Sequence, residues 1–166
     1  MECPRRARDE EGAGMKPVVM LADANVFLRF LRNDHPEHSA AAKRLIEEAA
    51  AGTVILHVPE IVVADIFYTL TAPMMKVPRV TAARQLSSLL HQPGIDVQNR
   101  RNVFETLSIC ETKNIDYGDA ALIIAAQSTT QHLPILSYDK DFAKVPEITA
   151  FSPIEWLQKG RKLLRQ

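Results

Sequence analysis

Four aspartates occupy positions at which carboxylates could carry out chemistry together. They are Asp23, Asp65, Asp119 and Asp139. Two of them follow short apolar runs, and the other two begin or interrupt long apolar stretches. Carboxylates gathered in one crevice repel one another and take up protons unless a hard divalent cation compensates them. Because oxygen-only ligands select Mg²⁺ or Mn²⁺ over zinc, the pattern favours a magnesium or manganese site.

Each of these aspartates also has an ordinary structural explanation. Asp23 can cap the following helix, and Asp139 can occupy a turn after a strand. Asp119 can lie in a first helical turn behind an Asp116 cap. Asp65 can form an ion pair, and we expect it to be buried because its helix has almost no polar face. One shared crevice explains all four positions at once, whereas the ordinary explanations must hold independently.

The elements that must position these acids follow from short apolar runs that alternate with helical patterns. Strands are predicted at residues 18–21, 54–58, 95–97, 134–137 and 148–151. Helices are predicted at residues 25–32, 36–50, 59–71, 81–91, 99–113, 119–129 and 153–164. This order predicts an α/β fold, a three-layer α/β/α sandwich around a mainly parallel five-stranded sheet. Ligands bind at the carboxyl ends of parallel strands, so Asp23 and Asp139 would lie side by side if the first and fourth strands are neighbours.

Composition indicates one globular domain with no strong bulk attraction to any partner. The chain has 166 residues, of which 46% are hydrophobic and 24% charged, and we assign the domain to residues 15–166. Residues 1–14 have almost no large apolar side chain, so we expect a disordered extension, with Met1 and Met15 both possible starts. Basic and acidic residues balance at 20 each, so attraction to nucleic acid must come from local patches.

The cellular location is expected to be the cytoplasm. Cys3 and Cys110 form no disulfide framework, which fits a reducing compartment. No apolar run reaches the length of about 20 residues that a membrane span requires. We therefore expect no association with a membrane.

Four segments carry a resemblance to a known family. Residues 21–36, LADANVFLRFLRNDHP, resemble the opening of a PIN domain of the VapC toxin type. Three further segments follow in family order: VPEIVVAD at 58–65, IDYGDAALI at 115–123 and LSYDKDF at 136–142. The similarity covers about residues 18–156, nearly everything outside the N-terminal tail.

The chain departs from the family pattern at two positions. The second acid of the family is usually glutamate, whereas Asp65 is shorter by one methylene group. Gly118 stands where a small, alanine-like residue is common. Glu60 and Asp141 lie near the second and fourth motifs, so they are the alternative acids if the register differs.

The resemblance implies a metal-dependent ribonuclease that hydrolyses RNA phosphodiester bonds. It implies that the four aspartates, Asp23, Asp65, Asp119 and Asp139, are both catalytic residues and metal ligands, and that Mg²⁺ or Mn²⁺ is the cofactor. It also implies a toxin that pairs with an antitoxin protein, and a homodimer. One or two ions are compatible with these residues.

Further residues receive supporting roles. Asn25 and Ser137 match family positions that support the acids by hydrogen bonds, and Asp116 receives the same role. Nearby candidates for phosphate contact are Arg29, Arg32 and Lys43; more distant ones are Lys76, Arg79, Arg100 and Arg101.

Two other functions remain open. A non-catalytic PIN-fold subunit could bind RNA or protein, although such a subunit would be expected to have lost an acid. An aspartate-based phosphotransfer enzyme could use Asp23 as nucleophile, but Asp23-Ala-Asn25 lacks the second acid of an Asp-x-Asp motif. The five histidines show no metal-ligand spacing.

Overall fold

The computed structural model describes residues 16–130 and 132–160, without the side chains of residues 159 and 160. The extension expected over residues 1–14, the possible start at Met15 and the last turn of the predicted C-terminal helix lie outside these ranges. Within them, none of the helices combines the length and the apolar character needed to cross a membrane.

Strands and helices alternate along the described chain. The strands are β1 (Val18–Leu21), β2 (Val54–Val58), β3 (Ile95–Val97), β4 (Ile135–Leu136) and β5 (Ala150–Phe151). The helices are α1 (Ala24–Arg32), α2 (Pro36–Ala50), α3 (Glu60–Thr71), α4 (Arg79–Leu90), α5 (Arg100–Lys113), α6 (Tyr117–Gln127) and α7 (Pro153–Glu155). A 3₁₀ helix, Asp141–Lys144, precedes β5, and a π-helical segment, Trp156–Gly160, follows α7. The first six helices begin and end within two residues of their predicted bounds.

The strands form two sheets, which corrects the expectation of a single five-stranded sheet. The first sheet is parallel, in the order β1-β2-β3, with Val18 opposite Val54 and Leu56 opposite Ile95. The second contains only β4 and β5, also parallel. Strand β1 therefore lies at a free edge, and its four side chains are 40–75% exposed. Alternation of apolar residues fixes the buried face of a strand but does not say which edges meet.

The main core lies between the first sheet and the helices. Strand β2 buries Val54, Leu56 and Val58, whereas Ile55 and His57 on its other face are only half-buried. Strands β1, β2 and β3 follow one another across the sheet in sequence order. Right-handed crossovers between such strands place the connecting helices on the same face of the sheet. The face of β2 that carries Val54, Leu56 and Val58 packs against helices in the main core, and the three-layer arrangement stays a prediction.

A second, smaller apolar cluster joins α6 to the two-stranded sheet. Its buried members are Ile115, Ile123, Ala126, Ile135, Phe142 and Val145. Helix α6 also buries Tyr117 and Ala120 in the main core. This helix therefore connects the two clusters, as expected for a helix that is apolar nearly all round.

Candidate active site

Asp119 is positioned by the cap of α6. Asp116 has an extended backbone, and its Oδ1 accepts a hydrogen bond from the Asp119 N–H at 3.0 Å. An aspartate at this position satisfies a backbone donor that the helix leaves unpaired. The cap therefore holds the Asp119 side chain in the first turn of α6, at the positive end of the helix.

Asp139 and Asp141 lie in the turn that leaves β4. The Asp139 N–H donates to Ser137 Oγ at 3.0 Å, and the Asp141 N–H donates to Asp139 Oδ1 at 2.8 Å. Phe142 anchors the turn, since its side chain is buried in the smaller cluster. As a result, carboxylate oxygens of Asp119, Asp139 and Asp141 all lie within 4.8 Å of one another. We call these three residues the acid cluster.

Two basic side chains bind the outermost member of the acid cluster. Arg79 Nη1 donates to Asp141 Oδ2 at 3.2 Å, and Lys144 Nζ lies 2.7 Å from Asp141 Oδ1. Arg79 Nη2 is also 3.8 Å from Asp116 Oδ2. The Lys144 hydrogen bond, together with the charges of both cations, holds the pKa of Asp141 below its ordinary value. Both cations also donate to the Asn114 carbonyl, at 3.5 Å and 3.3 Å, where α5 ends.

Asp119 has no comparable partner. Its Oδ2 is buried and receives no hydrogen bond from the described residues. Burial raises the pKa of Asp119 to about 6, and the charges of Asp116, Asp139 and Asp141 act in the same direction. A buried carboxylate oxygen without a donor, close to two other carboxylates, fits a hard divalent cation such as Mg²⁺ or Mn²⁺.

Asp23 lies outside the acid cluster. It is exposed at the end of β1, directly before α1, and makes no capping hydrogen bond with its side chain. Asn25 Nδ2 donates to Asp23 Oδ2 at 3.1 Å. Since β1 and β4 belong to different sheets, Asp23 and Asp139 do not follow neighbouring strands, contrary to the arrangement expected from a single sheet.

Asp65 is exposed on α3, which corrects the expectation that it is buried. The buried side chains of α3 are Val63, Ile66, Phe67 and Leu70. The opposite side faces solvent although it also carries apolar residues, and Ile61 is 75% exposed there. The alternative acid Glu60 accepts from Asn99 Nδ2 at 2.9 Å. Neither Asp65 nor Glu60 belongs to the acid cluster.

The candidate phosphate contacts near the site have acidic neighbours of their own. Arg29 and Arg32 both pair with Asp34, whose pKa is lowered chiefly by the Arg29 hydrogen bond. Lys43 lies 3.9 Å from Glu47. The three basic side chains thus form ion pairs with acidic residues but remain at the protein surface.

Among the more distant candidates, only Arg79 contacts the acid cluster in the described structure. Arg100 stacks over Phe104 at 4.8 Å, and Arg101 pairs with Glu105 at 2.8 Å. No local sequence pattern indicates the Arg79 contact, because Arg79 and Asp141 are 62 residues apart. Arg79 begins α4 directly after Pro78, and only packing brings that helix start to the acids.

Tyr68 is a second neighbour that the sequence did not indicate. Its hydroxyl lies beside Gly118. Burial raises the pKa of the Tyr68 phenol, and the charges of Asp116 and Asp119 act in the same direction. A Cβ atom at Gly118 would come within 2.5 Å of the Tyr68 hydroxyl. Glycine in place of the alanine-like residue of the family therefore makes room for Tyr68.

Comparison with known proteins agrees with the motifs. A search of curated proteins finds no relative that matches this chain. The family model described as PIN domain matches residues 20–148, a segment that contains Asp23, Asp65 and the whole acid cluster. PIN domains are commonly nucleases and typically bind divalent metals. Because the match covers well over half of the chain, this protein belongs to the PIN domain family.

Proposed function

We propose that this protein is a ribonuclease that hydrolyses RNA phosphodiester bonds with Mg²⁺ or Mn²⁺. The observation that carries this proposal is the Asp119 carboxylate. Its buried Oδ2 has no hydrogen-bond partner among the described residues, and one of its oxygens lies within 4.8 Å of carboxylate oxygens of Asp139 and Asp141. Desolvating a carboxylate costs several kcal/mol unless a positive group compensates it, and two further carboxylates increase that demand. The membership of the PIN domain family supports the same reading.

The chain's own residues would organise the site in distinct ways. Asp119 and Asp139 are the proposed ligands within the acid cluster, and the motif resemblance adds Asp23 and Asp65. The Asp116 cap fixes Asp119, and Ser137 Oγ fixes the backbone of Asp139 by accepting its N–H. When bound, the metal lowers the pKa of a coordinated water and offsets charge on the phosphate.

We further propose that the ribonuclease is the toxin of a toxin–antitoxin pair and acts in the cytoplasm. The support is the ordered set of VapC-like motifs, above all the opening segment at residues 21–36. Expression in a bacterial host should arrest growth, and co-expression of the proposed antitoxin protein should relieve the arrest. Growth unaffected by an enzyme that is active in vitro would contradict the toxin role alone.

The second candidate is a non-catalytic subunit that uses the same fold to bind RNA or protein. It is favoured by the position of Asp23 and Asp65, which lie outside the acid cluster. Such a subunit would bind RNA without cleaving it under any metal condition.

The test is RNA cleavage with matched variants. We expect end-labelled single-stranded RNA to be cut with Mn²⁺ or Mg²⁺ and to stay intact with EDTA. Asp119→Asn and Asp139→Asn should each lower the rate about 100-fold or more. Asp96→Asn is the control, because Asp96 is an exposed aspartate that pairs with His57 on the sheet, at 2.7 Å. RNA cleavage at the wild-type rate by folded Asp119→Asn would contradict the metal-site assignment.

A further inference from the structure

The acids around Asp119 are accompanied by cations that belong to the protein. The carboxylates are Asp116, Asp119, Asp139 and Asp141, and the cations are Arg79 and Lys144. With every group ionised, four negative and two positive side chains leave a net charge of −2. This is the charge that one divalent cation neutralises.

The guanidinium of Arg79 is fixed from three sides. It contacts Asp141 at 3.2 Å, Asp116 at 3.8 Å and the Asn114 carbonyl at 3.5 Å. Its side chain is 39% exposed. By contrast, Arg84 on the same helix pairs with Glu111 on α5 and is 70% exposed, away from the acids. Helix α4 thus carries two arginines in ion pairs, of which only Arg79 belongs to the site.

The cations divide the acid cluster into occupied and open carboxylates. Both oxygens of Asp141 are taken, Oδ2 by Arg79 and Oδ1 by Lys144. Asp139 accepts only the Asp141 N–H among the described residues, and Asp119 Oδ2 accepts nothing. The open oxygens are therefore on Asp119 and Asp139, and Asp141 serves to hold the cations.

We propose that Arg79 is a charge-compensating residue that weakens the binding of a divalent cation to this group of acids. The inference rests on the proposed function, because it assumes that Asp119 and Asp139 bind the metal. The fixed positive charge of Arg79 repels the divalent cation, and this repulsion is partly screened by solvent.

The test is calorimetric titration of the purified protein with Mn²⁺ at neutral pH. We expect wild type to bind Mn²⁺ through the open carboxylates of Asp119 and Asp139. Arg79→Gln removes one positive charge and should lower the dissociation constant about 5- to 10-fold. Arg79→Lys keeps the charge and should bind like wild type. Lys144→Gln should tighten binding in the same direction, which provides a second variant if Arg79→Gln folds poorly.

Arg84→Gln is the matched control, since it also removes an arginine that joins α4 to α5. It should leave the affinity unchanged. Unchanged or weaker binding by folded Arg79→Gln and Lys144→Gln would overturn the inference. If wild type binds no Mn²⁺, or binds it equally after Asp119→Asn, the proposed function itself fails, and this result is distinct from the others.

Discussion

Burial and neighbouring carboxylates raise the pKa of Asp119, and this makes the stability of the metal-free protein depend on pH. Its pKa in the folded protein is about 6, against an ordinary value of 3.8. Between these values the folded chain holds a proton that the unfolded chain has lost, so the free energy of unfolding falls as the pH rises. Above about pH 6 the carboxyl is ionised in both states and the loss is complete.

We therefore predict that metal-free Asp119→Asn is more stable than wild type at neutral pH, because asparagine cannot ionise. The difference should shrink toward zero as the pH falls to about 4. Urea unfolding of both proteins in EDTA across this range measures it. Saturating Mn²⁺ should stabilise wild type more than the variant. If the free energies of unfolding of the two proteins change with pH in parallel, the pKa of Asp119 is not raised in the folded protein.

The sequence was informative about some of these residues and not about others. Asp119 and Asp139 are predicted as ligands because each adjoins an apolar element whose end is recognisable, and the structure brings both into the acid cluster. The sequence makes Asp141 only an alternative and Arg79 a distant candidate, because contacts across 62 residues leave no local pattern. An apolar helix predicts a buried Asp65, whereas one side of that helix faces solvent.

At the scale of the elements, two glycines with similar backbone conformations should differ strongly in how well they tolerate substitution by alanine. Gly52 and Gly94 both have positive φ, at 81° and 75°. A Cβ at Gly52 would meet nothing within 4 Å, whereas one at Gly94 would lie 2.2 Å from the Ala49 carbonyl oxygen. That oxygen belongs to α2, and Gly94 also accepts the Leu56 N–H at 2.8 Å beside β3.

We predict that Gly52→Ala costs about 1 kcal/mol, the penalty of the left-handed backbone alone. Gly94→Ala should cost about 3 kcal/mol or more, because the backbone of α2 or the start of β3 must move. Equilibrium unfolding in urea measures both values. Equal losses in the two variants would show that α2 does not pack against this turn as described.

The contact between α3 and α6 predicts an interaction between Tyr68 and Gly118. Gly118→Ala introduces a Cβ 2.5 Å from the Tyr68 hydroxyl, so the phenol or the start of α6 must shift. With Tyr68→Phe the hydroxyl is absent, and alanine should then stabilise the first turn of α6 by up to about 1 kcal/mol. We expect the two changes to be coupled by about 1 kcal/mol in a double-mutant cycle of unfolding free energies. Additive effects of the two substitutions on the free energy of unfolding would mean that the Tyr68 hydroxyl does not lie against Gly118.

The first six helices and strands β1 to β3 follow closely from periodicity, whereas the pairing of the strands does not. Within the described residues, the helix predicted at 153–164 is α-helical only over Pro153–Glu155 and π-helical over Trp156–Gly160. Residues 54–58 and 36–50 were predicted at their observed bounds, because alternation and helical spacing are local properties. The assignment of β4 and β5 to a separate sheet depends on edges that each contribute two residues. Such short strands carry too little pattern to specify a neighbour.

At the scale of the whole molecule, apolar surface around α3 bears on the predicted homodimer. Met74 is 91% exposed, Ile61 75% and Tyr68 47%, whereas Met75 is partly buried. Separate exposed apolar residues are common, but several on one helix and the turn after it favour a contact with another protein surface. The region 59–75 thus has more apolar residues than its buried face uses.

We predict that wild type is a dimer at micromolar concentration and that Ile61→Glu or Met74→Glu shifts it toward monomer without unfolding it. Light scattering combined with size-exclusion chromatography measures the mass. Leu133→Glu is the control, because Leu133 is 50% exposed but precedes β4 instead of following α3. A wild-type monomer at all concentrations would contradict the prediction. A shift caused equally by Leu133→Glu would locate the interface elsewhere.

The free edge of β1 affects how mutational data on this protein should be interpreted. Among the described residues, no strand pairs with the outer edge of β1. An edge with unpaired backbone groups and four exposed apolar side chains is a template for the growth of intermolecular β-structure. Substitutions between residues 18 and 21 will therefore change how much protein stays in solution as well as how it folds. A lysine there would raise the soluble yield with no effect on turnover, so a screen that reads cell phenotype would rank it as a more active enzyme. Variants of this strand should be compared by specific activity per folded molecule, because a substitution there can change the amount of soluble protein without changing its turnover rate.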